Sequence, residues 1–137
     1  TIMKKLNKNL FKESYFIVEL NLCNIRLIDN SRFPWVILIP KKKNISDIYQ
    51  LTKKDQNLLM QEIVYVSKIM KINFRSFNLN IEKIGNVVSQ LHIHIIARSK
   101  KDSSWPLSVW VVKKKTYSNK VLNKIIIKLK KILVKQK

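Results

Sequence analysis

The chain has 137 residues, 46% of them hydrophobic and 26% charged, a composition that supports one globular domain with one core and excludes disorder. A single cysteine, Cys23, rules out a disulfide framework and any all-cysteine metal site, and no apolar run approaches the roughly 18 residues of a membrane helix. The net charge of +20 comes from 28 basic against 8 acidic residues. It invites a nucleic-acid reading, but 24 of the basic residues are Lys, beside 20 Ile and 13 Asn and a lone Gly and Ala. Those abundant residues have A/T-rich codons, so genome composition accounts for much of the lysine. With no apolar leader in Thr1–Phe16, the expected compartment is the cytoplasm.

One domain over 1–137 is expected. Residues 1–14 are polar and basic, an arm or a short helix. Tyr15–Leu20 and Asn24–Ile28 are short β-branched and aromatic runs, expected as strands, followed by a turn at Asp29-Asn30-Ser31-Arg32. Trp35–Ile39 predicts a central strand ended by Pro40. Thr52, with Asp55 three residues on, predicts the start of a helix. Leu58, Leu59, Ile63, Val66, Ile69 and Met70 recur at helical spacing, and the helix should end near 71–73. Phe74–Ile84 alternates as a strand, Gly85-Asn86 interrupts, and Val87–Ala97 predicts another strand. Trp105–Val112 is expected to be extended. A basic C-terminal helix within 117–137 is predicted from a cap at Ser118 or Asn119, its stripe of Leu122, Ile125, Ile126, Leu129, Ile132 and Leu133 docking on the core or on a partner subunit. A membrane-surface or RNA-facing role for that helix is the less favoured reading. The class is α+β, a mainly antiparallel sheet of about five strands with helices packed on it. The three tryptophans are expected to pack, and Cys23 to be a small buried apolar group.

Both histidines fall in Gln90-Leu91-His92-Ile93-His94. On a strand, Gln90, His92 and His94 would share one face at about 7 Å spacing, with Leu91, Ile93 and Ile95 on the other. A row of polar groups on an apolar strand is costly to bury without partners. Three readings fit: surface histidines, a metal pair needing Cys23 or a carboxylate as third ligand, and a catalytic imidazole beside a phosphate.

The segment Gln90-Leu-His92-Ile-His94-Ile-Ile resembles the signature of the histidine triad family. Gly85-Asn86, Arg98, Asp29-Asn30-Ser31-Arg32-Phe33-Pro34-Trp35 and Trp105-Pro106-Leu107-Ser108-Val109-Trp110 resemble the flanking motifs of a bacterial, diadenosine-polyphosphate-hydrolase-like branch. The resemblance implies the histidine triad fold and a nucleotide hydrolase or transferase acting at an α-phosphate. Diadenosine polyphosphates or nucleoside phosphoramidates are the implied substrates, cleaved through a nucleotidyl-histidine on His92. His94 and Gln90 would supply phosphate contacts, although a glutamine standing where the family has its first histidine carries no transferable proton. Val87 likewise departs from the hydroxyl common at its position. Asn80, Asn86 and Arg98 would be polar or phosphate contacts, and Asp29, or Asn30 one position on, would hold the ribose. No cofactor is implied, Mg²⁺ entering at most with the substrate, and no metal site. A homodimer is expected, with no membrane partner. A catalytically weakened basic nucleotide- or RNA-binding module is the alternative.

Overall fold

A computed structural model describes residues 8–135. Of the expected N-terminal arm, residues 1–7 lie outside the described residues, and Lys8–Lys12 form a short helix, α1. Five strands make one antiparallel sheet: β1 (Ser14–Glu19), β2 (Cys23–Ile28), β3 (Trp35–Pro40), β4 (Asn78–Glu82) and β5 (Ile93–Arg98), in the order β1-β2-β3-β5-β4. Two long helices, α2 (Lys53–Asn73) and α3 (Asn119–Ile132), complete the domain. The expected α+β architecture is the one observed.

Alternation along the strands divides the sheet into two faces. Ile25 and Leu27 of β2, Val36 and Leu38 of β3, and Ile93 and Ile95 of β5 enter the main core. There they meet Leu59, Ile63, Val66 and Met70 of α2, and Leu122, Leu129 and the following Leu133 of α3. The apolar stripe of the C-terminal helix is therefore spent on this domain's own core. On the opposite face, Trp35, Ile37 and Ile39 alternate with those residues, as do His94 and Ile96 of β5. Both faces of β3 are covered, which is why all of it is buried.

Helix ends follow local chemistry. The Thr52 hydroxyl accepts from the Asp55 backbone N–H at 3.1 Å, satisfying one orphan donor of α2. Arg75, at φ 47°, turns the chain out of the helix, and Lys128 of α3 donates to the Asn73 carbonyl. Ser118 caps α3 through the Val121 N–H, and Tyr65 of α2 pins its end by donating to the Val134 carbonyl and accepting from the Val134 N–H. Glu62 of α2 accepts from the Leu22 and Cys23 N–H groups, both at 2.8 Å, so the β1–β2 turn is held by a buried carboxylate. Cys23 is fully buried, and its thiol is pushed up by burial and by Glu62.

Three boundaries differ from expectation. β4 begins at Asn78, not Phe74, because Phe74 still caps α2. β5 begins at Ile93, not Val87. Gly85 turns at φ +76°, a region that favours glycine, Val87 is 90% exposed, and the Leu91 N–H donates to the Ile45 carbonyl of a loop. The segment over 105–112 is folded into turns with a 3-10 turn at Val109–Val111, organised by Asp102, which accepts from the Ser99, Ser104 and Trp105 N–H groups.

Candidate active site

The face of the sheet away from α2 and α3 opens on a cavity of about 650 Å³, within the size range of small-ligand sites. Its polar lining includes His92, His94, Asn30 and Asn86. The imidazole centroids of His92 and His94 lie 4.8 Å apart, much closer than two rises of a strand, because His92 sits just before β5 on irregular chain. The expected alternation thus holds for the pair, and Leu91, Ile93 and Ile95 do enter the core. Gln90 does not line the cavity, but its backbone carbonyl faces His92.

That backbone sets the chemistry of His92. The Gln90 carbonyl is 2.7 Å from His92 Nδ1. A carbonyl only accepts, so Nδ1 carries the proton and Nε2 keeps its lone pair. His94 is fixed the other way. The Trp35 indole Nε1–H lies 3.0 Å from His94 Nδ1, and an indole nitrogen only donates. Nδ1 of His94 is therefore the acceptor and Nε2 carries its hydrogen. The two rings present complementary atoms: an electron pair on His92 Nε2 and a donor on His94 Nε2.

Both rings are held neutral. Burial drives the His92 pKa below its usual value, with Lys83 adding to the effect and the Gln90 bond opposing it. Burial, followed by the neighbouring His92, lowers His94 to about 3. A second proton on His94 would also have to displace the Trp35 hydrogen bond.

Two tryptophans expected to pack rather than to stack on a base also stand at this site. Trp35 and Trp110 both line the cavity. Trp110 stands edge-on to His94 at 5.4 Å and to Trp35 at 5.0 Å, and its indole N–H donates to Glu82 at 3.3 Å. Glu82 pairs with His94 across β4 and β5, so the carboxylate reaches the same face. No spacing in the sequence joins these residues; the sheet register does. The third, Trp105, packs against Phe77 and Arg98 as expected.

Other expected contacts are engaged elsewhere. Arg98, 1% exposed, forms two hydrogen bonds to Asp102 (2.8 and 3.0 Å), and donates to Asn80 Oδ1, Ser104 Oγ and the Leu107 carbonyl. Neither Arg98 nor Asn80 lines the cavity, since each satisfies the other inside the fold. Asp29 accepts from the Tyr117 N–H at 2.9 Å and from the Tyr15 hydroxyl, while the adjacent Asn30 is buried on the cavity wall. Of the two neighbouring positions, Asn30 is the one that lines the cavity. Cys23 lies in the helix-side core, and among the described residues no group of three His, Cys, Asp or Glu is placed to hold a metal ion. Nor is any described helix long and apolar enough to cross a membrane.

Comparison with known proteins places this geometry. The HIT domain family matches residues 10–101. A search of curated proteins returns no match. The crystal structure of a histidine triad protein from Bradyrhizobium japonicum superposes with a TM-score of 0.91 at 32% identity, covering 94% of this chain and 97% of that one. A histidine triad protein from Sinorhizobium meliloti gives 0.89 at 32% identity (93% and 96% covered), and one from Marinobacter aquaeolei 0.90 at 32% (93% and 94%). The family signature falls on the two imidazoles whose tautomers the fold fixes, and the chain belongs to the histidine triad, or HIT, family.

Proposed function

We propose that the protein is a nucleotide hydrolase or transferase that cleaves at the α-phosphate through a nucleotidyl-histidine on His92. The observation that carries this reading is the opposed pair of tautomers at one cavity. Family membership supports nucleotide hydrolase or transferase chemistry in general. In the proposed reaction His92 Nε2 attacks phosphorus in line and the leaving group departs with the electron pair of its bond. The ring then carries positive charge, and its Nδ1–H bond to the Gln90 carbonyl strengthens as that charge develops. His94 Nε2–H donates to a phosphoryl oxygen. Asn30 and Asn86 serve as contacts to the ribose and phosphates. Water then attacks phosphorus and returns the electron pair to Nε2. Diadenosine polyphosphates and nucleoside phosphoramidates are the substrate types proposed, no resident cofactor is invoked, and we place the protein in the cytoplasm. A homodimer is part of the proposal: β4 is an edge strand, with Ile81 exposed on it and Phe77 exposed just before it.

The test is chemical trapping. Rapid acid quench with an adenosine-labelled substrate, followed by peptide mass spectrometry, is expected to find the nucleotidyl group on the peptide containing His92. Label on His94, or turnover with no histidine adduct at any quench time, would contradict the mechanism.

A further inference from the structure

We infer that Lys83, anchored by Asp47 at the Gly85 turn, is a subsite for the phosphates beyond the one that His92 attacks, and so holds the departing part of a nucleoside polyphosphate. The inference rests on the proposed reaction at His92 and adds a residue to it.

A polyphosphate brings several negative charges to this site, and the cavity itself offers little to balance them. Both imidazoles are held neutral. Among the described residues lining the cavity, Lys114 is the one cation, and Glu13 carries the opposite charge. Arg98 is committed to Asp102 inside the fold. Lys83 supplies a further cation at the rim. It directly follows β4, two residues before Gly85, and its ammonium lies against that turn: a Cβ added to Gly85 would be 3.4 Å from Lys83 Nζ. Ile84, Gly85 and Asn86 all line the cavity, so the charge stands beside that stretch of wall. It also reaches His92, where it adds to the burial that keeps the ring neutral.

The ammonium is placed in advance. Lys83 Nζ is 2.6 Å from Asp47 Oδ1, and the Asp47 N–H donates to Gln50 Oε1 at 2.9 Å. The loop carrying Asp47 is tied to the segment before His92, since the Leu91 N–H donates to the Ile45 carbonyl. The Lys83 side chain is 29% exposed, so a ligand can reach it. An ammonium has three hydrogens, and one is directed to Asp47. A phosphate oxygen can therefore join the pair without breaking it, at a cation that is already ordered. As the P–O bond breaks in the proposed reaction, its electron pair moves to the leaving phosphate, the group that Lys83 holds. A pair that only tied two loops together would need both of its charges equally. A subsite uses the cation and is opposed by the anion.

Calorimetric titration separates the two roles, using adenosine monophosphate and α,β-methylene adenosine triphosphate, whose bridging carbon blocks cleavage. Lys83→Met is expected to weaken the triphosphate analogue about tenfold, one charge-assisted hydrogen bond, and the monophosphate by less than about twofold. Lys83→Arg keeps the charge and is expected to keep the preference for the triphosphate analogue. Asp47→Asn leaves the ammonium at the turn without its competing anion, and should bind that analogue at least as tightly as the wild type does. Equal losses for both ligands in Lys83→Met, or no loss for either, would overturn the inference while leaving an adduct on His92 intact. So would an Asp47→Asn variant that loses the triphosphate analogue as Lys83→Met does, the pair then being only a tie between loops. If the wild type binds neither nucleotide and His92 stays unmodified, the reaction itself falls, and this inference with it.

Discussion

Replacing His92 with Ala is expected to lower turnover at least about 10⁴-fold, because it removes the proposed nucleophile rather than one of several contacts. The binding walls should survive. Asn30, Asn86, Trp35 and Trp110 all line the cavity independently of that ring. Affinity for a nucleoside monophosphate should therefore change by no more than about tenfold, roughly one lost hydrogen bond. Steady-state kinetics and calorimetric titration with the monophosphate check the two halves separately. Turnover within tenfold of the wild type would remove His92 from the role of nucleophile. The fold loses little, since the side chain lines the cavity and takes no part in the main core.

The second large effect is on stability and lies at Arg98. Its guanidinium is buried with the Asp102 carboxylate, and both side chains are almost inaccessible. Removing one partner of a buried pair leaves the other charge uncompensated, at a cost of about 3–5 kcal/mol. Arg98→Ala also deprives Asn80 Oδ1 of its donor and leaves the Leu107 carbonyl with only the Ser104 hydroxyl, at 3.3 Å. Against a typical total of about 5–15 kcal/mol for a domain, that is a large share. Burial alone would raise the Asp102 pKa, yet hydrogen bonds from Arg98 and from the Ser99 and Ser104 N–H groups bring it below the usual carboxylate value. The stabilisation from that group is present at neutral pH and is lost as pH falls through its lowered pKa. Arg98→Lys should recover only part of the loss, since an ammonium cannot make the two parallel bonds of the fork. Urea unfolding measures this directly. A variant with native stability and a raised KM would instead make Arg98 a substrate contact.

Residues legible in the sequence were those whose chemistry is local. Thr52 and Ser118 announce their helices by capping, and the stripes of α2 and α3 follow from 3.6-residue periodicity. The histidine pair is visible because the two lie two positions apart on a segment whose intervening apolar residues need the core. What escaped reading depends on contacts between distant segments. Trp35 and His94 are 59 positions apart and meet only through the pairing of β3 with β5. Glu82 and Trp110 meet through the β4–β5 register and a folded turn after the strand. The role of Gln90 lies in its carbonyl, which the identity of a side chain does not reveal. The early start expected for β5 has a general cause. In a chain this rich in Ile and Val, β-branched residues such as Val87 also populate loops, so propensity overextends the strands. Asp29 and Asn30 differ by one position, and only the Tyr117 N–H, reaching back from before α3, decides which of them faces the cavity.

The fold fixes two neutral imidazoles in opposite tautomers. Histidine-selective ¹⁵N–¹H correlation spectra across a pH titration test it on the intact protein. His92 is expected as the Nδ1–H form, titrating below the usual histidine value. His94 is expected as the Nε2–H form and to remain neutral until pH approaches about 3. Stability should then fall as pH drops below the ordinary histidine range, since the unfolded chain takes up protons the folded one refuses, at up to about 1.4 kcal/mol per pH unit for each ring. The same tautomer on both rings, or a His94 that titrates near its ordinary value, would show that Trp35 and the Gln90 carbonyl do not set the two rings apart.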